Sequence, residues 1–229
     1  MGRVPARARL ALIVLATLVI AGVGGGLLLV RPKDGPAGSR GFAGSLRPAI
    51  PPKDFRLRDQ DGRTASLRQY RGRTVVLTFL YSTCRDSCPI TASTVGAAVQ
   101  DAGGDIPALS VSVDPANDTP DRARRFLARR GLTGRMRFLL GTRAQLRPVW
   151  DDYGISPQGD KGDDGAFEHN AYVLLIDRRG RQRVSFPFGR LTAEGLAHDI
   201  RLLEREPGAA QRAVASAAAA ASARSAAAR

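Results

Sequence analysis

Cysteine and histidine are scarce in this 229-residue chain, with two of each. Two cysteines cannot build a disulfide scaffold or a four-thiolate zinc site, and two histidines cannot form a multi-histidine centre. Any metal must therefore be held by a mixed ligand set. Lysine is nearly missing: of 35 basic residues only Lys33, Lys53 and Lys161 are not arginine. Aromatic residues make up 6% of the chain, against 43% hydrophobic and 24% charged, which is ordinary globular composition and excludes wholesale disorder and a polytopic membrane protein. The formal charge of +14 is spread along the chain. With arginine replacing lysine and alanine and glycine abundant, this fits a GC-rich coding bias better than selection for nucleic acid, which we do not expect as a partner.

One long apolar run is present. Leu10–Val30 is uncharged over 21 residues, and at about 1.5 Å rise per residue a helix of that length covers the roughly 30 Å hydrocarbon core of a bilayer. Arg3, Arg7 and Arg9 precede it with no acid among them. The positive-inside rule places residues 1–9 in the cytoplasm and everything after Val30 outside. The run exceeds the roughly 7–15 residues of a secretory signal core, so an uncleaved single-pass anchor is expected. The cysteines then sit where disulfides can form and persist.

Residues 31–48, rich in Gly, Pro and Arg, read as a flexible linker, and the globular domain is expected over 49–206. Val75–Tyr81 and Ala108–Val113 have the two-faced apolar character of buried strands of a parallel sheet, and Pro89–Gln100 reads as the helix between them. Thr119-Pro120-Asp121 is a helix start for Pro120–Arg130, stopped by Gly131. Phe138–Leu140 is a strand and Arg143–Tyr153 a helix; Gly154–Glu168 is a glycine- and acid-rich loop long enough to be functional. Ala171–Asp177 and Gln182–Phe186 form a hairpin, and Thr192 caps Ala193–Glu204. The tail, residues 207–229, holds 13 alanines from Ala209 on and no apolar stripe, which predicts a frayed helix or a disordered extension. The pattern is that of an α/β domain.

Cys84-Arg-Asp-Ser-Cys88, followed by Pro89, falls between a central strand and the helix that it feeds. Open α/β sheets place ligands at the carboxyl ends of their strands, and a helix N-terminus lowers a thiol pKa. Arg85 between the sulfurs pushes the same way. Two thiolates so spaced can meet one soft metal ion or each other, whereas a structural disulfide closing so short a loop would constrain the unfolded chain little.

The stretches FRLRDQDGRTASLRQYRGRTVVLTFLYSTCRDSCP, VSVDPANDTP and EHNAYVLLIDRRG resemble, in order and spacing, the Sco/SenC copper-chaperone family of thioredoxin-fold proteins. The resemblance runs from about Phe55 to Glu204. It implies a thioredoxin-like central sheet flanked by helices and a copper site made of Cys84, Cys88 and His169. It also implies an acidic residue, Asp114, beside that site, with Asp118 in the same motif. The chain departs from the family pattern at Arg85, where proline is usual, and at Asn170, where a small hydroxyl residue is common. Two thiolates and an imidazole form a soft set that suits Cu(I) and, with a weak extra ligand, Cu(II). Asp114, ending a strand at the cysteine edge, orients or deprotonates a ligand, or serves only as a turn former. His198 has no evident partner. The implied function is copper delivery to the dinuclear copper site of cytochrome c oxidase. A thiol–disulfide oxidoreductase acting on the acceptor's cysteines is the alternative and would not need His169.

Overall fold

The computed structural model describes residues 41–51, 53–103, 105–155 and 172–206. Leu10–Val30, the loop from residue 156, His169, Asn170 and the alanine-rich tail lie outside them. No described helix is long and apolar enough to cross a membrane.

The strands are β1 (Ser45–Ile50), β2 (Arg56–Asp59), β3 (Thr64–Ser66), β4 (Val75–Leu80), β5 (Ala108–Ser112), β6 (Met136–Leu140), β7 (Tyr172–Ile176) and β8 (Gln182–Pro187). The helices, numbered in chain order, are α1 (Ser87–Asp101), α2 (Pro120–Ala128), α3 (Arg143–Tyr153) and α4 (Ala193–Arg205). The strands form one sheet in the order β1-β8-β7-β4-β5-β6-β2-β3.

Every residue of β4 is buried. Its side chains alternate between two apolar layers: Val75, Leu77 and Phe79 join Leu146 and Trp150 of α3, while Val76 and Leu80 join residues of α1, α2 and α4. Each such side chain taken from water contributes about 1.5–3 kcal/mol, so the strand is held from both sides. In α1, Cys88, Ala92, Val95 and Val99 recur at helical spacing on the buried face. Gly96 has no room for a side chain, because a Cβ there would lie 2.3 Å from Leu132 Cδ2. The Thr119 hydroxyl accepts from Arg122 N–H at 3.2 Å, the cap expected from the sequence, and α2 ends at Ala128 rather than Arg130.

Two expectations need correction. The sheet is mixed, since β4, β5 and β6 are parallel but β7 runs antiparallel to β4. The folded region also begins before Ala49. Strand β1 pairs antiparallel with β8, Phe42 is in the core, and Ala43 and Gly44 N–H both donate to the Asp199 carboxylate at 2.8 Å. Residues 41–48 are therefore not linker. Composition misled here because β1 is an edge strand, a sheet position that tolerates a proline such as Pro48.

This order brings four chain segments to one edge. Strands β4, β5 and β6 end there, and β7, being antiparallel, starts there, with Val173 opposite Thr78. If residues 41–44 belong to the core, Phe42→Ala should cost about 3 kcal/mol in urea unfolding; a loss below about 0.5 kcal/mol is what an exposed linker position would give.

Candidate metal centre

Strand β4 runs out at Leu80, and the chain crosses to α1 through Tyr81–Asp86. Cys84 lies in that crossing and Cys88 in the first turn of α1, both buried and both reduced. The helix start lacks its usual cap, since Asp86 at the N-cap makes no side-chain cap bond. The sulfur takes that place: Cys88 N–H donates to Cys84 Sγ at 3.4 Å. An acceptor at a helix N-terminus favours negative charge through the aligned peptide dipoles.

The two thiols are unlike each other. The Cys88 thiol, hydrogen-bonded to Cys84, is the largest influence lowering the Cys84 pKa, which falls to about 5 despite partial burial; backbone N–H groups and the Tyr81 hydroxyl add to it. The Cys88 pKa is pushed up, first because its proton is held by Cys84 and then by burial. Burial and the neighbouring Cys84 sulfur likewise raise the Tyr81 pKa. The pair therefore presents one thiolate and one thiol that share a proton, with Ser87 Oγ 4.0 Å from Cys84 Sγ.

Of the residues expected in the site, Cys84 and Cys88 come together and Asp114 stands at the same edge, just beyond β5. The Asp114 carboxylate is engaged in its own turn, accepting from Asn117 N–H at 3.3 Å and Asn117 Nδ2 at 2.9 Å. It also lines a cavity of about 690 Å³ together with Tyr81, Thr83 and Arg143. Arg85 is exposed, and the leading influences on Cys84 do not include it. His169 lies outside the described residues, as does Asn170. His198 is at α4, where its Nε2 meets Gly41 O at 2.9 Å. Among the described residues no group of three His, Cys, Asp or Glu side chains could hold a metal ion. The cysteine pair is the soft donor set that they supply, and its sulfurs, one already a thiolate, fit a soft monovalent ion such as Cu(I). A larger cavity, about 740 Å³, lies under the β2–β3 hairpin and is lined by neither cysteine.

Tyr81 and Asp118 belong to this edge; the sequence motif names Asp118 beside Asp114 without giving it a role, and does not name Tyr81. Tyr81 is the residue after β4, and that position was its available signal. The Asp118 carboxylate accepts from Ser82 N–H at 2.7 Å, Ser82 Oγ at 2.5 Å and Ser112 Oγ at 2.5 Å. Those partners come from two places in the chain, Ser82 being 36 residues away, which no local spacing reveals.

The asymmetry of the thiols has a measurable consequence. A thiolate is present above its pKa, so iodoacetamide should modify Cys84 at a rate nearly constant between about pH 6 and 8 and falling below about pH 5. Cys88 should remain unmodified in the folded protein; equal labelling of both, seen by peptide mapping, would contradict the geometry.

A family model described as SCO1/SenC matches residues 46–204. The chain is similar to ScoI of Bradyrhizobium japonicum, solved with copper bound, at 28% identity and a TM-score of 0.57, covering 68% of this chain and 99% of that one. It is also similar to BsSco, described as a member of the Sco family of cytochrome c oxidase assembly proteins and as carrying a disulfide switch. That likeness has 21% identity and a TM-score of 0.56, covers 69% of this chain and 98% of BsSco, and speaks for the fold alone. An SCO2-like protein of Rickettsia conorii is 25% identical over 135 residues, 56% of this chain and 65% of that protein's length.

Proposed function

The chain belongs to the SCO1/SenC family, and from that premise we propose that it is a membrane-anchored, extracytoplasmic copper chaperone. It binds one copper ion through Cys84, Cys88 and His169 and delivers it to the dinuclear copper site of cytochrome c oxidase. The observation that carries this reading is the pair of buried, reduced sulfurs at the strand edge, one held as a thiolate by the start of α1. Such a pair binds a soft ion without a further deprotonation at Cys84. The placement of β7 supports His169 as the third ligand, because the strand starts at the cysteine edge and His169 precedes Tyr172 by three residues in sequence. Copper bound in ScoI supports the cargo, and the acceptor is the one that the resemblance to the SCO1/SenC family implies. The arginines before Leu10–Val30 support the anchor and its orientation.

A transfer needs a site that holds its cargo and lets it go. Exchange proceeds one ligand at a time, and the unequal thiols set the order. Cys84 leaves protonation aside down to acid pH, whereas Cys88 regains its proton readily once the ion moves to an acceptor. The same inequality favours a second reading, thiol–disulfide exchange with the acceptor's cysteines. Cys84 would attack and Cys88 resolve.

Titration of the reduced protein with Cu(I) against a competing chelator should give one tightly held ion. Cys84→Ser and Cys88→Ser should abolish retention through dialysis. His169→Ala should weaken binding at least tenfold, since even the loss of an outer partner of a ligand costs about 10–100-fold. Unchanged affinity in His169→Ala, with disulfide exchange intact, would favour the oxidoreductase. A reporter enzyme fused after Glu206 that requires an extracytoplasmic location should be active; activity of one that requires the cytoplasm would overturn the topology.

A further inference from the structure

Asp118 sits where the turn after β5 enters α2, one residue before the cap Thr119. Its backbone is fixed from both sides. Its N–H donates to Asp114 O at 2.8 Å, and α2 is rooted in the core by Ala123, Phe126 and Leu127. Its side chain is 7% exposed and reaches the other way, toward the cysteine loop. There it accepts Ser82 N–H, Ser82 Oγ and, from the end of β5, Ser112 Oγ, at 2.5–2.7 Å. Ser112 is itself tied down, since its carbonyl accepts the Trp150 indole N–H at 2.9 Å and its hydroxyl accepts Asp114 N–H at 3.2 Å. A carboxylate buried against neutral donors alone is expensive to maintain. Helix capping does not require it, because Thr119 supplies that cap. What the carboxylate secures is Ser82, two residues before Cys84 in the crossing from β4 to α1.

We propose that Asp118 is the positioning residue of the cysteine pair: it clamps the loop carrying Cys84 onto β5 and α2, and so sets the balance between the dithiol and the disulfide. In the dithiol state Cys84 Sγ is placed to accept Cys88 N–H, an arrangement that depends on where the loop is held. A disulfide holds the two residues covalently whatever the loop does. Releasing the clamp therefore costs the dithiol more than the disulfide. The inference rests on the reading that Cys84 and Cys88 are the working pair.

Equilibration of the full chain with glutathione measures that balance. The pair, one thiolate and one thiol, gives two electrons and its one proton to glutathione disulfide, and water supplies the second proton; the Cys84–Cys88 bond forms, the glutathione S–S bond breaks, and two glutathione thiols are released. Asp118→Asn and Asp118→Ala should move the equilibrium about tenfold toward the protein disulfide, the loss expected when hydrogen bonds to a charged acceptor are removed. Ser112→Ala, which removes one donor and leaves Ser82 anchored, should move it about two- to threefold in the same direction and keeps the test open if the Asp118 variants fail to fold. A merely structural role would lower the melting temperature and leave the equilibrium of the folded protein unmoved. Folded Asp118 variants that stay within about twofold of the parent, a Ser112→Ala equilibrium equal to that of the parent, or a shift of any of them toward the dithiol overturn the proposal. Cu(I) affinity of Asp118→Asn, measured separately, should fall about tenfold. A parent protein that retains no Cu(I) while the glutathione equilibrium shifts as stated would sink the chaperone reading and leave this one standing.

Discussion

Strand β4 is the constraint from which the rest of the domain follows. Because it is buried on both faces, it needs a layer of helices on each side and a strand along each of its edges. Pairing β5 parallel and β7 antiparallel meets the second need and has a topological consequence. The exit of β4, the exits of β5 and β6 and the entry of β7 must all face the same way. A site built from segments far apart in the chain is thereby assembled at one edge by backbone pairing alone. The side chains at that edge were then free to be chosen for chemistry.

Burial and charge work against each other at the sulfurs. Burial by itself raises a thiol pKa, and in Cys88 it adds to the larger effect of the proton held by Cys84. In Cys84 it loses to a proton shared from Cys88 and to the N–H groups at the start of α1. The outcome depends on which sulfur faces the helix end, a matter of one turn of chain. Two residues of identical chemistry four positions apart are made into a thiolate and a reluctant donor.

The buried carboxylates show the same competition resolved differently. Asp177 is pulled below its ordinary pKa although burial pushes the other way, because the Arg181 side chain bonds it at 2.9 and 2.7 Å and backbone N–H groups of the turn add to that. Asp118 and Asp199 have only neutral donors within bonding distance, and for them burial prevails and the pKa rises. Asp177 contributes stability above the ordinary carboxylate range that is lost as pH falls through its lowered value; the other two have the opposite sign. Charge held against cations braces the β7–β8 turn at one end of the sheet. Charge held without them tethers the chain near Phe42 and the cysteine loop.

Much of the fold was legible because it is local. The two-faced apolar runs became β4 and β5, the Thr119 and Thr192 caps are where the sequence puts them, and α3 spans Arg143–Tyr153 as expected from the sequence. The cysteine pair was legible too, since its spacing and its place between strand and helix are sequence facts. The edge strands were not. In β2 the inward positions are Leu57 and Asp59, and the aspartate is accommodated by Asp61 and Arg63 N–H of its own turn and by Arg137, 78 residues away, which reaches it at 2.8 Å. Strand β1 carries a proline and is recognisable only from its partner β8. The difference between the thiols, the engagement of Asp114 with Asn117 and the grip of Asp118 on Ser82 belong to the same class. They arise from hydrogen bonds and desolvation between groups that the sheet brings together. The sequence by itself determined which segments would be buried and which residue types would meet at the strand ends; their protonation and their hold on one another were decided by tertiary structure, because a pKa and a hydrogen bond depend on distance in space and not on separation along the chain.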